Sequence, residues 1–276
     1  MRDAQSDRQA VITTSKLSGT DTPKVDLFGE PASPGTHVQL SSLVIPLGST
    51  LRISAVNVGD GESMAVCDDI TEQSDAHSAI AESRVRLEKL VYDLAGAMAG
   101  IANTRDPYTA GSEVGVAHLA RTIAYEMSLP QQVIEETSMA GLLHDIGTLG
   151  VPEEVLANPG KLSDEEFEQM KKHPVYGSKI LADVEFPGPV AEIVLQHHER
   201  LDGSGYPRGL IGDKILTGAR ILAVADVADS MMASRPYRPA LGIHEVIDEL
   251  EGHPDRYDAD VVEACVRVLR RQNVSG

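Results

Sequence analysis

Leu142-Leu143-His144-Asp145-Ile146-Gly147 is the stretch that decides how the chain is read. The run before it is apolar at helical spacing, and it ends on an adjacent imidazole and carboxylate. A polar group buried without a partner costs free energy, and a buried charge costs far more. A single His or Asp on an apolar helix is explained as a satisfied core residue. Here His173, His197-His198-Glu199 and Asp226 follow on further apolar segments. A shared metal cluster accounts for the four histidines and two aspartates together. Mixed imidazole and carboxylate donors suit iron or manganese, with zinc as the alternative, in one or two ions.

Outward from this stretch, nearly everything from Gly111 onward has helical periodicity. Val114 to Leu129 carries apolar residues at helical spacing, and Pro130 reads as the first helical residue of a segment over 130–144. Ser163-Asp164-Glu165-Glu166 is a capping box that opens a helix carrying Phe167 and Met170. Pro189 to His198 reads as a further helix, Gly218 to Met232 as a long apolar one, and 241–251 and 258–271 as a last pair. No strand-like alternation occurs in this half, so the expected fold is mainly α.

Upstream the texture differs. Residues 1–36 are rich in Ser, Thr, Asp, Pro and Gly and read as a flexible tail. Over 37–73 three β-rich runs, Val38 to Leu47, Leu51 to Val56 and Met64 to Cys67, alternate with the turn signals Gly48-Ser49 and Gly59-Asp60-Gly61. They predict a small antiparallel meander. Its end, Asp68-Asp69-Ile70-Thr71-Glu72-Gln73, resembles the closing motif of PAS sensor domains, of which only the second half is matched. That resemblance implies a truncated PAS-like module serving dimerisation or docking. From 74 to 103 a connecting helix carries Ile80, Leu87, Val91, Leu94, Met98 and Ile101 at 3–4 spacing, interrupted by Arg84. Beside it runs a charged face of Glu82, Arg86, Glu88 and Lys89. This pattern predicts a coiled coil and a homodimer.

The bulk properties narrow the field. At 42% hydrophobic and 24% charged residues the composition is that of an ordinary globular protein. A formal net charge of -18 argues against adhesion to DNA or anionic membrane, since the mean field repels phosphate. A phosphorylated ligand therefore needs local compensation from metal ions or arginines. Two widely spaced cysteines, Cys67 and Cys265, read as reduced thiols in a cytoplasmic compartment. No signal-peptide core and no run approaching ~20 apolar residues is present, and the expectation is a soluble cytoplasmic chain.

The ordered motifs of the helical half are Arg105-Asp106-Pro107-Tyr108-Thr109, His144-Asp145-Ile146-Gly147, Asn158-Pro159-Gly160-Lys161-Leu162 and His173-Pro174. They continue with His197-His198-Glu199-Arg200-Leu201-Asp202-Gly203-Ser204-Gly205-Tyr206-Pro207 and the run from Ala219-Arg220-Ile221 through Asp226 to Arg235-Pro236-Tyr237-Arg238. Over residues 98–271 this set resembles the HD-GYP family, a bacterial signalling branch of the HD metal-dependent phosphohydrolases associated with hydrolysis of cyclic di-GMP. The resemblance implies that Asp145 bridges two metals. It implies that His173, His197 and His198 complete one metal's set, while His144 and Asp226 belong to the other. Tyr206 is implied to line the substrate pocket, and Arg235 and Arg238 to contact phosphate. For adjacent His197 and His198 to share a metal, the helix must end there, because successive helical side chains diverge by about 100°. Asp202 and Asp229 read as structural acceptors, and Glu199 is left undecided.

Three positions depart from the family pattern. Ser112 stands where the family has its first histidine, a ligand of the metal that His144 and Asp226 also hold. Thr148 stands where HDIGK has its lysine, removing a cation that would stabilise transition-state charge. Asn158 stands where a lysine is common. Two readings follow. One is a metal-dependent phosphodiesterase for cyclic di-GMP or a related nucleotide, with weakened activity. The other is a catalytically degenerate regulatory module that binds nucleotide or a protein partner without turnover.

Overall fold

The computed structural model describes residues 37–44, 50–59, 62–105, 112–158, 160–234 and 239–274. The chain divides between residues 87 and 88 into two compact units. In the first, strands β1 (His37–Val44), β2 (Thr50–Gly59) and β3 (Glu62–Asp69) form an antiparallel sheet in the order β1-β2-β3. The β2–β3 register pairs Arg52 with Asp68 and Ser54 with Val66. Helix α1 (Thr71–Asn103) follows directly. Its entry is fixed by Asp69, whose Oδ1 accepts from the Thr71 amide at 2.9 Å and the Thr71 hydroxyl at 2.5 Å. These bonds hold the Asp69 carboxyl below its usual pKa range.

The second unit is helical, as its sequence pattern predicts. After the last turns of α1 come α2 (Ser112–Glu126), α3 (Gln131–Leu143), a 3-10 turn (Ile146–Gly150), α4 (Glu153–Leu156), α5 (Asp164–Met170) and α6 (His173–Leu181). They are followed by α7 (Val190–Gln196), α8 (Thr217–Met232), α9 (Ile243–Glu251) and α10 (Ala259–Val274). Helices α2, α3, α7, α8 and α10 enclose one core, in which Ile123, Ile193, Ile221, Leu222, Leu250 and Leu269 are among the largest fully buried side chains. Burying each contributes roughly 1.5–3 kcal/mol relative to exposure. A smaller cluster of Val151, Val155 and Leu156 packs with Leu162, Met170 and Tyr176.

Several boundaries differ from the sequence reading, among them the end of α7 at Gln196 rather than His198, and one helix was not expected. Pro130 is the N-cap of α3, with ψ of 143°, rather than its first helical residue. Its extended ψ lies outside the helical range, and its carbonyl already accepts from Ile134. Helix α6 lacks the length that would make periodicity visible and was not anticipated, although it carries His173. The capping box at Ser163 is present in both halves: Ser163 Oγ accepts from the Glu166 amide, and the Ser163 amide donates to the Glu166 carboxylate. The tail 1–36, the DPYT segment and Arg235 and Arg238 lie outside the described residues.

Candidate metal centre

Each histidine of the candidate site sits where a helix starts or stops. Helix α3 ends at Leu143 and leaves His144 and Asp145 in the turn before the Ile146–Gly150 segment. His173 begins α6, and α7 ends at Gln196, so His197 is its cap and His198 lies beyond it. The helix therefore stops at the one place where two adjacent imidazoles can turn to the same side. Gly147 allows the turn after Asp145 to meet α6. A methyl group there would collide with the His173 carbonyl oxygen and the Gly177 amide nitrogen.

The six predicted residues are brought together. The ligand atoms of His173, His197 and His198 all lie within 4.8 Å of one another, close enough to hold one ion. Asp145 reaches both ways: Oδ1 is 3.3 Å from His173 Nε2, and Oδ2 is 3.3 Å from His144 Nε2. Asp226 Oδ1, from α8, lies 3.8 Å from the same His144 nitrogen. His144 and His173 are almost wholly buried and His197 fully so.

Hydrogen bonding fixes which nitrogen faces inward. His144 Nδ1 is 2.7 Å from the Gly141 carbonyl, His173 Nδ1 is 2.9 Å from that of Met170, and His197 Nδ1 is 2.6 Å from that of Val194. A carbonyl oxygen only accepts, so in all three rings Nδ1 carries the proton and donates. Where the ring is neutral, Nε2 is then left as a bare lone pair. Yet His173 Nε2 and His197 Nε2 face each other at 3.3 Å. Burial, foremost, pushes the pKa of His173 below the usual range and those of His197 and His198 well below it, so these rings are neutral. Two buried lone pairs aimed at each other repel, and a cation between them removes the repulsion. The residues present thus fit a divalent ion.

The other side of Asp145 has the opposite electrostatics. Burial opposes the charged form of His144, but Asp145 by charge and hydrogen bond, and then Asp226, raise its pKa to about 10. For Asp145, burial acts upward, and His144 followed by His173 and His197 carries the carboxyl well below its ordinary value. Asp226 is raised, chiefly by burial. Asp145 and Asp226 thus favour the charged form of the His144 ring.

The departures from the family pattern are explained by local bonds. Ser112 Oγ donates to Asp229 Oδ2 at 2.7 Å, tying α2 to α8 rather than facing the cluster as a ligand. Thr148 is buried, with Oγ1 donating to the Asp145 carbonyl at 2.8 Å. Asn158 braces its loop, its Nδ2 3.3 Å from Glu166 Oε1 and its Oδ1 accepting from the Gly160 amide at 2.9 Å.

The segment after His198 folds back over it. The Tyr206 amide donates to the His198 carbonyl at 3.2 Å, and the two rings lie 4.7 Å apart at 33°. Gly205 permits the reversal, since a side chain there would strike the Arg200 amide nitrogen and the His198 carbonyl oxygen. Burial foremost, with the charges of Asp226 and Asp145, raises the Tyr206 hydroxyl above the ordinary tyrosine range. Glu199, whose role the sequence leaves open, is buried and accepts from the Arg208 amide at 2.7 Å and the Leu210 amide at 2.9 Å. It ties down the far limb of the loop. Asp202 accepts from the Ser204 amide at 2.9 Å and braces the near turn. Arg105 is a further residue whose role sequence reasoning missed. Its guanidinium donates to the Leu149 and Val151 carbonyls, clamping the segment after the His–Asp pair to the end of α1.

A family model described as HD domain matches residues 96–261. The chain belongs to the HD-domain family. Apart from Ser112, Thr148 and Asn158, its motif set is that of the HD-GYP branch of HD proteins. A cyclic di-GMP phosphodiesterase of Pseudomonas aeruginosa is 38% identical over 167 residues, covering 60% of this chain and 40% of that protein. A cyclic di-GMP phosphodiesterase of Thermotoga maritima is 38% identical over 184 residues, covering 66% of this chain and 50% of that one. The chain thus spans half or less of the length of these curated HD relatives. A solved structure of a cyclic GMP-AMP specific phosphodiesterase of Vibrio cholerae superposes with a TM-score of 0.51 at 16% identity, over 65% of this chain and 49% of that chain. That likeness is one of fold alone. No helix among the described residues is long and apolar enough to cross a membrane.

Proposed function

We propose that this HD-domain chain is a metal-dependent phosphodiesterase acting on a cyclic dinucleotide of the cyclic di-GMP class. The observation that carries the reading is the pair of inward Nε2 atoms on His173 and His197, with both Nδ1 protons committed to backbone carbonyls. Asp145, His173, His197 and His198 would hold one cation, and Asp145, His144 and Asp226 a second. Imidazole and carboxylate donors favour iron or manganese, with zinc as the alternative. Bound there, divalent cations supply Lewis-acid stabilisation of phosphoryl oxygens and lower the pKa of water to near neutrality. The chain's own residues do the rest. Asp145 offers one carboxylate oxygen to each side, which fixes the spacing of the two halves. Tyr206 keeps its proton at neutral pH and presents a hydroxyl donor beside His198. Arg235 and Arg238 are assigned to phosphate and would offset the acidic net charge locally.

A second reading is favoured by the Ser112–Asp229 bond and the buried Thr148 hydroxyl: a module that binds nucleotide or a protein partner without turnover. Bound metal and hydrolysis of cyclic di-GMP, with excess manganese or ferrous iron, are measured for this chain and for the pair Ser112→His with Thr148→Lys. Turnover in the parent supports the enzyme. Turnover in the double variant alone supports the binding module. Metal-free protein in both sinks the metal reading.

The same proposal includes a homodimer through α1. Ile80, Leu87, Leu94 and Ile101 recur every seven residues, as do Val91 and Met98, and each is 41–65% exposed. Such a stripe is a two-stranded seam awaiting a partner helix. Light scattering of the full chain should give twice the chain mass, and Leu87→Glu with Leu94→Glu should give the monomer. A monomeric parent removes the dimer.

A further inference from the structure

Beside the candidate metal centre lies a groove of about 610 Å³ lined by Gly160, Lys161, Leu162, Asp164 and Phe167. Its volume falls within the range of small-molecule sites. Phe167 is 45% exposed on α5, one of only three phenylalanines in the chain. A single exposed aromatic needs no explanation. This one continues a row of rings that starts at the centre. His198 lies 4.7 Å from Tyr206, and Tyr206 lies 6.4 Å from Phe167 in an edge-to-face contact at 82°.

The groove wall is held in place. Asn158 ties the Gly160 amide and the Glu166 carboxylate together, and the capping box locks Ser163 to the same glutamate. The Lys171 ammonium sits 4.9 Å from the Phe167 centroid, which fixes the ring from its own helix. Lys161 places a positive charge on the lining, in a chain whose formal net charge is -18, while the Lys171 ammonium is paired with Glu168. Asp164 places a carboxylate on the lining, an acceptor suited to the N1–H and exocyclic amine edge of guanine but not to the corresponding edge of adenine.

We propose that this groove is a nucleobase subsite: Phe167 stacks a purine whose phosphate lies at the His173–His197–His198 cluster, and Asp164 selects guanine. The proposal deepens the phosphodiesterase reading and rests on it for the position of the phosphate. Base–aromatic stacking is sequence-tolerant, because every base has a π-face, so selection falls to Asp164.

The chain has no tryptophan. Phe167→Trp therefore puts the only one at the groove, and its emission reports stacking directly. With manganese-loaded full-length protein, GMP should quench this emission saturably, AMP should need several-fold higher concentration, and ribose 5-phosphate should leave it unchanged. Calorimetry of GMP binding to the parent and to Phe167→Ala should show about ten-fold weaker binding in the variant, with ribose 5-phosphate binding equal in both. Asp164→Ala should bring GMP and AMP to the same affinity. Equal quenching by ribose 5-phosphate and GMP, or unchanged GMP affinity in Phe167→Ala, overturns the subsite. Equal affinity for GMP and AMP in the parent overturns the role of Asp164. Saturable quenching by GMP in a chain that hydrolyses no cyclic dinucleotide supports the subsite and counts against the enzyme. Hydrolysis without quenching overturns the subsite alone.

Discussion

Replacing Glu199 tests how the loop bearing Tyr206 is held over the metal centre. The carboxylate is buried and accepts two backbone amides, from Arg208 at 2.7 Å and Leu210 at 2.9 Å. Hydrogen bonds to a charged group contribute about 1.5–3 kcal/mol each. Taking the lower figure for both, because water can reach part of the vacated space, Glu199→Ala should cost about 3 kcal/mol. For a domain of this size that corresponds to a fall in Tm of roughly 6–12 °C. Glu199→Gln keeps one carbonyl oxygen and satisfies one amide, so its fall should be about half as large. Differential scanning calorimetry of the full chain measures both. Trypsin provides a local readout, since Arg208 is in the anchored limb: cleavage after Arg208 should accelerate in the Ala variant well before global unfolding. A shift under about 2 °C for Glu199→Ala, with unchanged cleavage, would refute the anchoring role.

Gly147→Ala should cost roughly 1–3 kcal/mol of overpacking and lower metal content by mass spectrometry, because the new methyl pushes α6 and its His173 away from Asp145; full metal occupancy at unchanged Tm would count against this. Ser112→Ala removes the donor to Asp229 and should lower stability by about 1–2 kcal/mol in denaturant melts. Metal content of the folded variant, measured under native conditions, should equal that of the parent; a lower content at equal folded fraction would count against a purely structural role for Ser112. Burial pushes the Cys265 thiol up to about 12, so alkylation at pH 8 should run about a thousand-fold slower than for an exposed cysteine. The same shift makes stability whole below the unfolded thiol's pKa and progressively lost from about pH 9 towards 12. Cys265→Ala should flatten that alkaline decline, and site-resolved labelling at pH 8 with ordinary speed would contradict the burial argument.

The sequence made the helical half legible where apolar periodicity ran long, as in α2 and α8. It made the clustering of the candidate metal centre legible because His144, Asp145, His173, His197, His198 and Asp226 have few other reasons to lie on apolar segments. Even the stop of α7 at Gln196 follows from requiring His197 and His198 to share a side. What stayed hidden depends on loop geometry or distance. Glu199 works through amides nine and eleven residues ahead, and only the folded loop brings them to its carboxylate. Ser112 reads as a lost ligand, whereas its actual partner, Asp229, is 117 residues away. Helix α6 is nine residues long and opens on His-Pro, too short for a period to emerge. The bonding of Asn158 to Glu166 converts an apparent loss of charge into a brace for the groove.

The three imidazoles that donate to carbonyls three residues behind them have a consequence for how affinity is set. Each ring is aimed by its own short stretch of chain, through a carbonyl three residues back. What helix packing sets is the separation between the rings, such as that of His173 at the start of α6 from His197 at the end of α7. A push or twist altering that gap by a few tenths of an ångström would change the grip on the ion while leaving every donor correctly oriented. If the site holds an ion as proposed, its grip would then follow the separation of the helices more than the aim of any one ring.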